Sequence, residues 1–351
     1  MAVYAEIVCA LGIAGGCLTG VVFRDIVDLR NKWGEIGMQE IFLGEVIRQR
    51  RLELGLTQEE LCEGICEPMT ISRFENGKQT PARNRIKAIL QRLGLPDDRF
   101  YALLSNKELE LGNLEKELVS CHVRFERAAT EDQPGIREEA FAVHRRMEEL
   151  MDKDDILTRQ EIIRSRFLLG KFDNAYGYEE GMEMLLGAIR LTSPKFDINH
   201  IERGLYMRNE IKLINNMATC CLRNGRHEES VEILAPLLRY LQERWDKIPP
   251  NRAFIPTVAY NYSRELGIVG RHEEALEIGE YARKICVNYG YYSSLPSILA
   301  VMAMNHYRLG HREESMELYR QAFYLYKALD EDGNREIIQA EARELLGMIL
   351  E

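Results

Sequence analysis

Four short stretches of the chain repeat one another: LGKFDNA at 169–175, NGRHEES at 224–230, VGRHEEA at 269–275 and LGHREES at 309–315. Each carries a glycine (Gly170, Gly225, Gly270, Gly310) followed five positions later by a small residue (Ala175, Ser230, Ala275, Ser315). Seven positions further on stand Met182, Leu237, Ala282 and Ala322. Recurrence in fixed phase is a strong constraint, because every copy must form the same unit and bury its apolar face on the next. The glycine is expected to end one helix, and the small residue to let the following helix pack closely against it. The glycines are spaced by 55, 45 and 40 residues. A helix-pair repeat of about 34 residues is the usual period, so helices or loops between the motifs must be extended.

Outside these stretches the chain after residue 38 also reads as helix. Apolar residues recur at three and four, prolines number only 10, and no alternating strand pattern persists. Residues 40–104 are punctuated at Gly55, Gly64, Gly77 and Gly94, which predicts about five short helices. Residues 105–128 predict one longer amphipathic helix, and TEDQPG then breaks the chain. From about 136 onward the repeats are of tetratricopeptide type.

The net charge is −10, which argues against a protein that coats nucleic acid by charge alone. The sign is uneven: residues 41–100 carry about +1 and residues 101–351 about −9. Lys78, Arg83 and Arg85 lie in an acid-free run, which permits one nucleic-acid-facing module on an acidic body. The eight cysteines form no CxxC pair and have no histidine cluster beside them, so buried reduced thiols are expected and no metal or cofactor. Residues 5–23, AEIVCALGIAGGCLTGVVF, are apolar but glycine-rich and lack a basic start. Residues 1–37 are therefore read as an extension upstream of a start at Met38, with a membrane anchor as the alternative; a membrane partner is not expected.

The stretch TQEELCEGICEPMTISRFENG at 57–77 holds two short helices with a tight turn between them. Thr57 and Glu60 have the spacing of a capping box. Leu61 and Ile65 are expected to bury one helix, Pro68 to open the next, and Ile71 and Phe74 to bury that one. This is the helix-turn-helix unit, whose second helix fits the major groove of duplex DNA. Its outward residues would be Glu67, Met69, Thr70 and Arg73. Thr70 can offer a hydroxyl, Met69 an apolar contact to a thymine methyl, and Arg73 a bidentate contact to guanine or a phosphate clamp. Gln58 and Ser72 are placed for phosphate oxygens, with Lys78, Gln79, Thr80 and Arg83 continuing along the backbone.

The pattern LGEVIRQRRLELGLTQEEL…ISRFENGK…P resembles the Cro/C1-type (XRE) helix-turn-helix over some 60 residues. That resemblance implies that Arg51 and Glu75 form a structural ion pair rather than a reading site. Between Leu61 and Ile71 the chain is one residue shorter than most of that family, with Cys66 where glycine is usual. The shorter turn is shared by the RRNPP family of peptide-responsive transcription regulators, the PlcR- and Rgg-like proteins, which EGICEPMTISRFENG also resembles. The family has the same domain order, so an all-α fold is expected. An N-terminal helix-turn-helix domain at 38–104 would be joined by a linker helix at 105–135 to a C-terminal tetratricopeptide-like helical solenoid at 136–351.

The resemblance implies a short signalling peptide in the concave groove of the repeats, as in quorum sensing. With each motif glycine at position 15 of its repeat, Asn216 and Asn261 both fall at concave position 6, where an amide side chain can donate and accept to a peptide backbone. Lys212, Arg223, Arg264 and Arg308 are neighbouring candidates for a peptide carboxylate or acidic side chain. Asn305, at position 10, fits less well. A cytoplasmic homodimer on a double-stranded DNA operator is then expected, with the peptide shifting the curvature of the array. The alternative is a protein–protein interaction scaffold whose head does not read DNA. An enzyme is not expected, since no nucleophile elbow, phosphate loop, zinc-protease motif or dinucleotide fingerprint occurs.

Overall fold

The computed structural model describes residues 43–95, 106–127, 132–151, 155–173, 176–245 and 253–350. The expectations for residues 1–37, and for where the first domain begins and ends at 38 and 104, lie outside the described residues. All regular structure within them is helical.

The head contributes α1 (Leu43–Glu53), α2 (Gln58–Cys62), α3 (Pro68–Glu75) and α4 (Arg83–Arg92). The capping box forms as its spacing demands. Thr57 Oγ1 accepts from the Glu60 amide at 3.1 Å, and the Thr57 amide donates to Glu60 Oε2 at 2.7 Å. Helix α2 stops sooner than the apolar pattern suggests, at Cys62, because Gly64 takes a left-handed conformation with φ +70°. Ile65 is still buried, but from the turn rather than from the helix. Ile47, Leu61, Ile71, Phe74, Ile89 and Leu93 close the core of the head.

The body is a succession of helix hairpins. These are α5 (Asn106–Arg127) with α6 (Gln133–Glu149), α7 (Ile156–Asp173) with α8 (Tyr178–Arg190), and α9 (Arg208–Arg223) with α10 (His227–Tyr240). Next come α11 (Phe254–Ile268) with α12 (His272–Tyr289) and α13 (Leu295–Arg308) with α14 (Arg312–Ala328), and α15 (Asp332–Leu346) closes the row. Each helix packs on the next, and the first helices of successive hairpins also touch, as α11 does α13. The long spacings have visible causes. A 3₁₀ segment, Ile198–Arg203, lies between α8 and α9, and a π turn, Leu241–Trp245, extends α10.

Gly225, Gly270 and Gly310 end α9, α11 and α13 with φ of +69°, +83° and +81°. Gly170 departs from the expectation. It lies inside α7, which runs on to Asp173, and a Cβ there would come within 2.2 Å of the Tyr176 ring. That glycine makes room for an aromatic instead of ending a helix. Of the small residues, Ser230, Ala275 and Ser315 are buried as expected, while Ala175 lies outside the described residues. Ser315 Oγ donates to Ala303 O at 2.7 Å across the α13–α14 contact, and Ser263 Oγ donates to Ala275 O at 2.7 Å across α11–α12.

The body contributes to the head's core, which is separate from the body's own. Leu157 from α7 and Met207 at the start of α9 are buried among the head's apolar residues. A buried methionine of this kind stabilises the contact by about 1.5–3 kcal/mol. Beside it Arg92, 2% exposed, donates to Leu61 O at 3.1 Å and Glu63 O at 2.5 Å within the head, and to Thr192 O of the body at 3.0 Å. Glu210, fully buried at the start of α9, stands 3.8 Å from the guanidinium. Gly64 meets the body backbone so closely that a Cβ would lie 2.1 Å from Thr192 O. Replacing Arg92 by methionine leaves three carbonyls and a carboxylate without their cation. The expected cost is about 3–5 kcal/mol, read as a lower urea midpoint of the full chain. Lys195→Met, which breaks only the exposed Lys195–Glu63 pair, leaves that midpoint in place.

Candidate nucleic-acid interface and ligand groove

Helix α3 opens on Glu67, whose backbone is extended (φ −72°, ψ 145°), with Pro68 in the first turn where its missing N–H costs nothing. Ile71 and Phe74 point into the core, which turns the opposite side outward. On that side Glu67 and Arg73 are exposed, Met69 is 60% exposed, and Thr70 and Ser72 are half-buried. Gly77, with φ +69°, then turns the chain so that exposed Lys78, Gln79 and Thr80 follow directly, ahead of half-buried Arg83 at the start of α4. The fold thus leaves most of the residues proposed to meet DNA exposed or half-buried.

Gln58 has a different neighbour. Its Nε2 donates to Glu75 Oε2 at 2.7 Å. Glu75 also accepts from Arg51 Nε at 2.6 Å and Nη2 at 2.9 Å, while Arg51 Nη1 donates to Leu56 O at 2.8 Å. The hydrogen bonds it donates to Glu75 hold the Arg51 guanidinium above its ordinary range, although burial works the other way. This buried fork ties α1 to α3 and sets the angle at which α3 is presented.

The inner side of the C-terminal repeats forms a cleft of 840 Å³, within the roughly 300–1,000 Å³ typical of ligand sites. Tyr260, Arg264, Asn305, Arg308, Ile337 and Glu341 line it. Three of the peptide candidates therefore meet here. Arg264 lies 5.3 Å from the centre of the Tyr260 ring and donates to Glu265 Oε1 at 3.3 Å, while Arg308 is exposed. Asn305 is almost wholly buried: Nδ2 donates to Val301 O at 2.8 Å and Oδ1 lies 2.9 Å from His272 Nδ1.

The other four candidates lie apart from this cavity. Asn261 Nδ2 donates to Asn215 Oδ1 at 3.0 Å, and buried Asn216 accepts from Arg164 Nε at 3.2 Å. Lys212 is bonded to Glu115, and Arg223 sits exposed at the last turn of α9. Sequence reasoning did not point to Ile337 and Glu341 because α15 carries no copy of the repeat motif. Only its closing position beyond α14 brings it to the groove.

Burial raises the Glu341 carboxyl above its ordinary range, and nearby Glu344 adds to the effect. The six described cysteines are free, and burial pushes their thiols upward, to about 11 at Cys66, Cys221 and Cys286. Among the described residues no group of His, Cys, Asp or Glu is arranged to hold a metal ion, and no helix is long and apolar enough to cross a membrane.

Residues 47–100 match the helix-turn-helix family. No curated protein sequence matches the chain. Among solved structures, the chain is similar to PlcR of Bacillus thuringiensis in complex with the peptide PapR7 and DNA. The identity is 18%, the match covers 85% of this chain and 98% of that one, and the TM-score is 0.52. The apo form of PlcR matches at 15% identity, 84% and 98% coverage and a TM-score of 0.52. The apo form of the competence regulator ComR from Streptococcus vestibularis matches at 13% identity, 86% and 97% coverage and a TM-score of 0.50. The chain therefore has a helix-turn-helix domain and shares the overall fold of these regulators.

Because the folded-state pKa of Glu341 lies above that of the unfolded chain, the native state is favoured while this carboxyl is protonated, and that advantage is lost as pH rises through the raised value. Glu341→Gln should therefore raise the urea midpoint at neutral pH, with the gain vanishing below about pH 4, where both states are protonated.

Proposed function

We propose that this helix-turn-helix protein is a sequence-specific transcription regulator controlled by a short signalling peptide held on the concave side of its repeats. The observation that carries the reading is the outward side of α3. Arg73 and Met69 are left exposed by a helix whose inner side is pinned by Ile71, Phe74 and the Arg51–Glu75 fork. A helix held at that angle can enter the major groove with its first turns leading. Thr70 and Arg73 would read base edges, and Ser72, Lys78, Gln79, Thr80 and Arg83 would hold phosphates. Gln58 acts by bracing Glu75, and it reaches DNA only by exchanging that bond.

The PlcR structure of the same fold contains both a peptide and DNA, which supports assigning both ligands here. The peptide would lie in the 840 Å³ cavity, with Arg264 and Arg308 meeting its negative groups and Tyr260 and Ile337 its apolar side chains. A two-fold operator calls for two copies of the head, so the working form is a cytoplasmic homodimer. Peptide control requires that the peptide bind one conformation of the repeats better than the other.

With a duplex selected from a random pool by the wild-type chain, Arg73→Ala should lose about 1–3 kcal/mol of affinity and relax preference at the contacted base pair. Retention of full affinity and selectivity would overturn the assignment of α3. A peptide that co-purifies from the native host with wild-type protein, and is missing from Arg308→Ala, would identify the ligand.

A further inference from the structure

Away from the cavity, a cluster of charges crosses the inner side of the first three hairpins. Glu115, on α5, bonds to Lys212 on α9 and accepts from Arg164 Nη1 on α7 at 3.1 Å. Arg164 also donates to Glu161 Oε1 at 2.5 Å and, through Nε, to Asn216 Oδ1 at 3.2 Å. Two cations thus face two carboxylates. Three of the four belong to α7 and α9, the first helices of consecutive hairpins, and the fourth reaches in from α5, the helix that follows the head. Glu115 and Lys212 keep about a quarter of their side-chain surface (24% and 25%), so the pair is partly open to solvent, whereas Arg164 is nearly closed off at 9%.

We propose that Arg164, Lys212 and Asn216 form an anion-accepting subsite of the groove, occupied here by the chain's own Glu115, and that an acidic side chain or C-terminal carboxylate of a bound peptide takes its place. The inference rests on the reading that the groove binds a peptide. Its physical basis is charge balance. If Glu115 left alone, Arg164 would keep Glu161, but Lys212 and the shared guanidinium edge would lose their anion in a half-buried setting. That is costly unless another carboxylate arrives. Release of Glu115 is therefore an exchange, coupled to the ligand. Burial alone would raise the Glu115 carboxyl, yet the Lys212 and Arg164 charges outweigh it and hold the group below its ordinary range, so it is an anion at neutral pH. A ligand carboxylate has the same charge and the same acceptor geometry.

The exchange has a mechanical consequence. α5 packs on α6 and α7, and Glu115 carries its reach one hairpin further, to α9. This tie spans the bend of the array. Replacing it by a ligand frees α5 from α9 while the ligand stays on α7 and α9, which gives the peptide a route to the helix next to the head.

The test uses the full-length chain and two labelled probes, hexaglutamate and hexaglutamine. Glu115→Gln, which keeps size and loses charge, should bind hexaglutamate more tightly than wild type, on the order of tenfold. Adding Lys212→Gln to that variant should abolish the gain, and hexaglutamine should bind all forms alike. Saturating hexaglutamate should also speed amide exchange around residue 115 in the wild-type chain. Equal hexaglutamate affinity in wild type and Glu115→Gln, or a gain that survives Lys212→Gln, would overturn the subsite. Circular dichroism of each variant reports whether it is folded. Duplex selection by the same preparations tests the regulator reading separately, so failure of one is not mistaken for failure of the other.

Discussion

The seat of Arg92 between head and body is the contact on which the arrangement of the molecule depends. One guanidinium caps carbonyls at the end of α2 and just beyond it, at Leu61 and Glu63, and also Thr192 of the body. Glu210, which balances its charge, is itself committed. Its Oε1 accepts from the hydroxyls of Thr192 and Ser193 at 2.6 Å each, and its Oε2 from the Met207 amide at 2.6 Å. Arg92, Thr192, Met207 and Glu210 are all withdrawn from water, so losing one of them leaves another unsatisfied. The turn that presents α3 is consequently held by the repeats as well as by its own domain. A helix joining the two domains does not have to carry their relative orientation alone.

The repeat motif has a second use that its packing role conceals. The histidine after the second and third motif glycines reaches position 10 of the next inner helix: His227 Nδ1 lies 3.0 Å from Glu265 Oε2, and His272 Nδ1 2.9 Å from Asn305 Oδ1. Glu265 is fully buried and also takes a contact from Arg264, so the clip between repeats and the wall of the cavity use the same residues. Gly267 makes room for this, since a Cβ there would sit 2.5 Å from Asn305 Oδ1. Asn305 is held within the wall of the cavity, whereas Arg308, which lines the same cavity, is exposed. In a solenoid each repeat touches only its neighbours, so a bond of this kind fixes local curvature directly.

Local signals were readable where the chemistry is local. The Thr57–Glu60 capping box, Pro68 at the start of α3, the burial of Leu61, Ile71 and Phe74, and the left-handed glycines at 225, 270 and 310 all follow from a few adjacent residues. Gly170 did not follow, because its reason is Tyr176, a residue outside the motif that fills the space a side chain would need. Asn216 and Asn261 share a repeat position, yet one bonds an arginine of the preceding hairpin and the other an asparagine of α9. Periodicity places a residue on a face; it is silent on which distant side chain arrives opposite.

By itself, the amino-acid sequence determined that the chain is helical, that a helix-turn-helix precedes a stacked array, and which side of α3 is apolar. Helical period, caps and glycine positions act over a few residues and need no partner from elsewhere. Only the tertiary structure decided that Leu157 and Met207 complete the head's core, that Glu115 occupies the cationic corner at Arg164 and Lys212, and that α15 walls the cavity. These join residues from about 30 to well over 100 positions apart. Which of many exposed charges and apolar side chains come together at such range is set by the curvature of the whole array, a sum of small rotations that no single repeat encodes.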